Sequence, residues 1–392
     1  MGPKKDKAKA ADPKGGGEGG DPGENPATLL TNYTKFCKQI NITANAKLVK
    51  TFTDEEALEE FMRVRARARG APPSLFRLFG PPPPRAVLSA EAELSRLLLP
   101  SAQSHQIVID DEFGPLGAGG MRALCTAIMG TGAGMIPFPF KLVNSLRFWR
   151  CNIGDDGCAS LAELLRLGGA DVAIAYLELF DNNVGARGAL ALGRSLSCDM
   201  NKSLMTLKLD YNSSLGAEGV TALCRGLRTN STLKQLHLPY CGVGPLGGAP
   251  LGEMLSYSKL ALAVLNLQGN KLGGQGLKML CPGLKNSASI TSLSMADNGI
   301  GDSDEDLEAL KALAAALVAS QTLTHVDILY NRIGEKGANA LLATFGPEGP
   351  PSKVRQLLVD SMLPQQLFEL LCRIEAGGGG KKGKKGKGKK KK

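Results

Sequence analysis

The sequence predicts an α/β solenoid, a curved array in which short parallel strands alternate with helices, and three observations carry that expectation. An apolar frame recurs as Leu204-x-x-Leu207-x-Leu209-x-x-Asn212, Leu233-x-x-Leu236-x-Leu238-x-x-Cys241, Leu262-x-x-Leu265-x-Leu267-x-x-Asn270, Ile290-x-x-Leu293-x-Met295-x-x-Asn298 and Leu323-x-x-Val326-x-Ile328-x-x-Asn331. The shorter cores Leu146-x-Phe148-x-x-Cys151 and Leu177-x-Leu179-x-x-Asn182 share it, so the Asn/Cys slot falls at 151, 182, 212, 241, 270, 298 and 331, a period near 29. A second signature follows each slot, as in Ile153-Gly154-x-x-Gly157, Val184-Gly185-x-x-Gly188, Leu272-Gly273-x-x-Gly276 and Ile333-Gly334-x-x-Gly337, and then an Ala/Leu stretch with apolar residues at helical spacing.

Each unit therefore reads as strand, turn, helix. Alternating strand residues point to opposite faces, which sends the leucines to the core and their neighbours to the concave wall. The Asn side chain bonds the backbone of the turn that leaves the strand, which explains a polar residue at a buried slot. One repeat cannot bury its own leucines; stacking does it.

Along the chain, residues 1–26 mix Gly, Pro, Lys and Asp without apolar periodicity and predict a disordered tail. Helical patterns at 28–40 and 53–64, the second opened by a capping box Thr53-x-x-Glu56, predict an N-terminal cap over 27–64. An Arg/Pro-rich linker or loop follows at 65–88, with Arg63, Arg65, Arg67 and Arg69 leading into Pro72, Pro73 and Pro81 to Pro84. A helix at 89–99 opens a repeat domain spanning 89–376, whose first strand begins at Ile107 and whose last is Val354-x-x-Leu357-x-Val359. An insertion at 130–139 separates the first unit from the second, and Pro250 and Pro282 predict short or broken helices. Asp302, Asp304, Glu305 and Asp306 suit a helix start and match no calcium loop.

Charge divides unevenly. The formal +10 falls to +1 once the tail 377–392 is set aside, because Lys381, Lys382, Lys384, Lys385, Lys387, Lys389, Lys390, Lys391 and Lys392 lie there. A uniformly basic body is excluded. The tail suits a polyanion such as tubulin's acidic tails, nucleic-acid phosphates, acidic lipids or a nuclear import receptor, or serves only as a solubilising segment. Nine cysteines, an odd number without a Cys-x-x-Cys pair, and no signal-peptide pattern point to reduced thiols in a cytosolic compartment. No apolar run is long enough to span a membrane.

Catalytic and cofactor signatures are lacking. Gly242-x-Gly244-x-x-Gly247 imitates a dinucleotide fingerprint but is the turn signature of the repeat itself. His105, His237 and His325 fall in different units, which argues against a metal site or a triad. Cys151 and Cys241 hold the Asn slot and read as structural substitutes. No enzyme, cofactor or metal is expected.

These motifs resemble the leucine-rich repeat family, in its ribonuclease-inhibitor-type subclass with a long helix-containing unit, over roughly 107–362. The resemblance implies a right-handed horseshoe with parallel strands on the concave wall and helices on the convex side. It also implies a non-enzymatic scaffold that binds a protein on that wall. Arg147, Trp149, Arg150, Tyr176, Glu178, Phe180, Lys208, Asp210, His237, His325 and Asp327 are the wall residues expected to make contact, because aromatics and Arg supply binding hot spots. The lysine-rich opening and Gly/Lys tail are also similar to leucine-rich repeat proteins of ciliary axonemes, which implies a cytoplasmic, cytoskeletal place with the nucleus as alternative. Ran GTPase-activating proteins share the subclass, so a GTPase regulator is a competing reading, although their C-terminal tail is acidic. A nucleic-acid-associated protein held by the basic tail is another.

Overall fold

The computed structural model describes residues 21–54, 57, 105–169 and 171–373. The expected linker 65–88, the helix 89–99 and the tail 377–392 lie outside those residues. Among the described residues, nine parallel strands form one sheet in strict chain order: β1 His105–Ile109, β2 Val143–Trp149, β3 Tyr176–Phe180, β4 Thr206–Lys208, β5 Gln235–His237, β6 Val264–Asn266, β7 Ser292–Ser294, β8 His325–Asp327 and β9 Gln356–Leu358. That order gives the expected solenoid, because each strand returns through its helix to lie beside its predecessor.

Register follows the repeat frame. Leu177, Leu207, Leu236, Leu265, Leu293, Val326 and Leu357 stand opposite one another from β3 to β9, and all are buried. The helices follow as α1 Pro26–Gln39, α2 Ala46–Thr53, α3 Gly117–Met129, α4 Gly154–Leu167, α5 Ala186–Ser195, α6 Gly216–Leu227, α7 Gly248–Leu255, α8 Gly273–Asn286, α9 Asp304–Ala319, α10 Gly334–Phe345 and α11 Gln365–Leu371. From α3 to α10 they form the convex layer, and leucines such as Leu223, Leu251, Leu280 and Leu313 close the core against the strands.

Two side-chain ladders run through that core. Asn212 Oδ1 accepts the N–H groups of Asn182 and Val184 (both 2.9 Å), while its Nδ2 donates to the Leu179 carbonyl (2.7 Å) and to its own strand at Leu209 (2.8 Å). Asn182, Asn270, Asn298 and Asn331 repeat the pattern. The slot thus binds the preceding repeat as well as its own turn. Cys151 and Cys241 stand in for the donor only: Cys241 Sγ reaches the Leu209 carbonyl at 3.0 Å. A second ladder, at the loops that enter the strands, is made by Asn201, Asn230, Ser287 and Ser320.

Several expectations need correction. Pro282 does not break its helix: α8 runs through it for 14 residues. Pro250 lies near the start of α7, where its missing N–H has no helical partner to lose; α7 is short, eight residues. The capping box is misplaced, because Thr53 ends α2 and it is the Asp54 carboxylate that accepts the Ala57 N–H (3.0 Å). α2 itself is capped by Asn45, whose side-chain oxygen accepts the Leu48 N–H. Residues 21–25, read from composition as part of the tail, meet the segment just past the insertion, with Asp21 paired to Lys141 (2.8 Å) and the Lys141 N–H bonded to the Gly23 carbonyl. The insertion 130–139 also bonds α1: Asn32 exchanges two hydrogen bonds with the Ile136 backbone (3.0 and 2.9 Å).

The frame makes a sharp contrast testable. Leu267 is completely buried and Gln268 next to it is not. Leu267→Ala should cost about 2–5 kcal/mol in a denaturant melt, as buried Leu deletions do, whereas Gln268→Ala should cost under about 1 kcal/mol. Equal losses at the two positions would refute the alternation.

Candidate functional site

The outward residues of β2 and β3 gather around one carboxylate. Glu178 Oε1 accepts the indole N–H of Trp149 (2.9 Å), and Oε2 accepts the Tyr176 hydroxyl (2.8 Å). The Arg147 guanidinium lies over the Tyr176 ring at 4.5 Å, with its Nε 3.9 Å from Glu178, and the Lys208 ammonium is 6.0 Å from the ring centroid. In-register pairing explains the cluster: Arg147 is opposite Glu178, and Glu178 is opposite Lys208. Burial pushes the Tyr176 phenol up to about 12, so it stays a donor to Glu178 at neutral pH. The rings are thus held in one geometry before any partner arrives.

The remaining wall positions are distributed differently. Arg150 pairs with Asp111 at 2.9 Å on the turn after β2. Phe180, in register with Trp149, packs on Tyr211, with ring centroids 4.9 Å apart. Asp210 lies on the turn after β4. On β8, His325 Nδ1 is 2.8 Å from the Thr324 hydroxyl, and Asp327 accepts the Ser294 hydroxyl (3.2 Å) and the Leu329 N–H (2.9 Å). Burial raises the Asp327 carboxyl above its ordinary range.

His237 corrects the expectation that alternate strand residues reach solvent. It points away from the leucines, yet it is buried, as are Ser145, Thr206, Gln235 and Asn266 on the same face. Strands about 4.8 Å apart on a concave surface let side chains shade one another. Among the described residues its Nε2 has no hydrogen-bond partner. Burial, with Lys208 opposite, holds its imidazole well below the ordinary histidine range.

Sequence reading missed a row of aromatics one position ahead of the Asn slot. Tyr211, Tyr240 and Tyr330 occupy it, and Tyr211 stacks on Tyr240 with centroids 4.8 Å apart. Their fixed offset from the slot was the available signal. Among the described residues no group of three His, Cys, Asp or Glu side chains could hold a metal ion, and no helix is long and apolar enough to cross a membrane. All nine cysteines are unpaired, and seven of them are buried. The acidic run at 302–306 does start α9: Ser303 caps it, accepting the Asp306 N–H at 3.3 Å.

Comparison with known proteins agrees with this geometry. The family model described as "Leucine Rich repeat" matches residues 175–193, 201–224, 229–252, 262–281, 286–310 and 319–342. Those matches show that the chain carries leucine-rich repeats, whose arrays generally act in protein–protein interaction. Its repeats are of the ribonuclease-inhibitor type. It is 27% identical to the ribonuclease inhibitor of Mus musculus over 230 residues, covering 52% of this chain and 49% of that protein. With the inhibitor of Sus scrofa it shares 26% identity over 343 residues, covering 67% of this chain and 72% of that one. "NACHT, LRR and PYD domains-containing protein 14" of Mus musculus is 30% identical over 206 residues, 51% of this chain and 19% of that protein. The chain thus spans about half the length of the mouse inhibitor and under a fifth of the NACHT protein.

Two outcomes follow. Glu178→Ala strands the Trp149 and Tyr176 donors, so the emission of the single tryptophan should move to the red and stability should drop by about 1–3 kcal/mol. Unchanged emission would dissolve the cluster. For His237, a folded-state pKa below the unfolded 6.5 means the unfolded chain binds more protons, so stability is complete above about pH 6.5 and falls as pH drops below it. Thermal melts at pH 7.5 and 5.5 should show that decline, and His237→Gln should lessen it.

Proposed function

We propose that the protein is a non-enzymatic scaffold whose concave wall binds a protein partner through the β2–β3 cluster, while the lysine tail recruits by charge. The observation that carries this reading is the fixed Glu178 cluster. Trp149, Tyr176 and Arg147 are the residue types that dominate interface energy, and their shared carboxylate removes the entropy cost of ordering them on binding. Arg150, Phe180, Lys208, Asp210, His325 and Asp327 frame the contact area. His237, shaded by its neighbours on the same face, packs within the wall and makes no direct contact.

The tail residues Lys381 to Lys392 supply long-range attraction without orientation, which suits an acidic, repetitive partner surface such as tubulin tails. A place in the cytoplasm on a ciliary axoneme accords with that chemistry, and proximity labelling in the source cell separates it from the nucleus.

Wall and tail should divide the labour kinetically. Against a partner recovered from cells, replacing the nine tail lysines by Gln should slow association and flatten its salt dependence, since exposed charges are screened beyond about 10 Å at 0.1 M salt. Trp149→Ala should speed dissociation and leave the salt dependence in place. A partner that ignores Trp149→Ala in surface-binding kinetics would move the interface off this cluster.

A further inference from the structure

We propose that the turn-side rim of the wall, built on Phe180, Tyr211, Tyr240, Asp297 and Tyr330, is a docking ridge for a lysine- or arginine-bearing segment of another protein. The inference rests on the reading that the wall binds a protein, and adds the chemistry of the segment bound.

The rim position lies directly ahead of the Asn slot, and its backbone is left-handed in all seven repeats, with φ between 50° and 69° at Arg150, Asp181, Tyr211, Tyr240, Gly269, Asp297 and Tyr330. Glycine adopts that conformation freely and Asp tolerates it, but a bulky side chain there is strained. Three of the seven repeats nevertheless place tyrosine at it.

The rings make a continuous surface. Phe180, Tyr211 and Tyr240 follow one another at 4.9 and 4.8 Å, one ring per repeat, the interval that strand pairing imposes. The next repeat contributes Gly269, where a Cβ would fall 2.2 Å from the Tyr240 ring, so the ring lies over that glycine. Its hydroxyl then reaches Asp297 Oδ2 (3.3 Å) and receives the Gln268 amide (3.4 Å). Tyr330, 51% exposed, stands one repeat further on.

Charge selects the occupant. From Phe180 to Ser361 the rim position and the one before it hold Asp181, Asp210, Asp297 and Asp360 and neither Lys nor Arg. Lys271 and Arg332 stand two positions past the rim residue of their turns, beyond the Asn slot. Aromatic faces and carboxylates both favour a cation, and a Lys or Arg side chain can lay its stem on the rings while its head meets a carboxylate. Phosphate chains would stack their bases on such rings, but the four carboxylates repel them.

The test uses the full chain and a fluorescein-labelled oligolysine peptide, followed by polarisation, with oligoglutamate as counter-probe. Binding should be confined to oligolysine. Tyr240→Ala, Tyr330→Ala and Asp297→Asn should each weaken it about two- to five-fold, the range of one cation–π contact. Tyr240→Phe, which keeps the ring, should restore the affinity, and Glu163→Gln on the outer helix α4 should leave it as it was. Thermal melts of every variant separate lost binding from lost fold. Binding that is indifferent to the ridge variants, or stronger with oligoglutamate, would overturn the ridge and leave the wall reading to its own test with the native partner. Oligolysine that binds only after the nine tail lysines are replaced by Gln would also overturn it, by making the occupant the chain's own tail.

Discussion

Asn212 accepts backbone N–H groups from the repeat before it and donates to carbonyls on both repeats, and everything else in the array is arranged around that buried amide and its equivalents. A strand of three residues cannot satisfy the backbone of the turn that follows it, and water does not reach the slot. Each Asn meets that demand for two repeats together, at bond lengths of 2.7–3.3 Å. An apolar residue there would leave several buried backbone groups unpaired, each worth about 1–3 kcal/mol. The cysteines at 151 and 241 fill the donor half of the role. They mark two points where adjacent repeats are held by fewer bonds from the side chain.

Because that ladder fixes the turn, the backbone ahead of it is left-handed in the seven repeats that carry the slot, and the rim inherits its shape from the core. The same strand spacing that brings the leucines into register also brings the outward residues close enough to bond one another. Glu178 therefore joins Trp149 of the preceding strand to Tyr176 of its own, and His237 is shaded by its neighbours on a face that its alternation assigns to solvent.

The array was legible in the sequence because its determinants are periodic. The leucine frame, the Asn slot and the glycine turns each recur at a fixed offset, and the nine-strand order follows from stacking alone. The helix containing Pro282 was not legible, since neighbouring helices and strands hold it where propensity alone predicts a break. Nor was the ladder of Asn201, Asn230, Ser287 and Ser320, whose small polar residues look like ordinary loop composition. At the wall, direction could be read but exposure could not, because exposure depends on the curvature and on the side chains of adjoining strands. The tyrosine rim escaped notice for a different reason: it becomes a surface only when rings one repeat apart are seen to stack.

On the convex side, α5 meets α6 and α7 meets α8 through glycines. A Cβ on Gly226 would lie 1.9 Å from the Gly193 carbonyl, and one on Gly283 would lie 2.3 Å from that of Gly252. Helices ordinarily pack 8–10 Å apart while paired strands stay near 4.8 Å, and that difference bends a solenoid into an arc. Where backbone touches backbone the outer layer is shortened and the sheet stays locally flatter, between α5 and α6 and again between α7 and α8. The radius of the arc is therefore set from its outer side, on the helix layer behind the sheet and not on the wall itself. A methyl group added at Gly226 or Gly283 would spread the helices, close the arc and narrow the mouth of the groove, changing the span of partner it accepts without altering one residue of the wall.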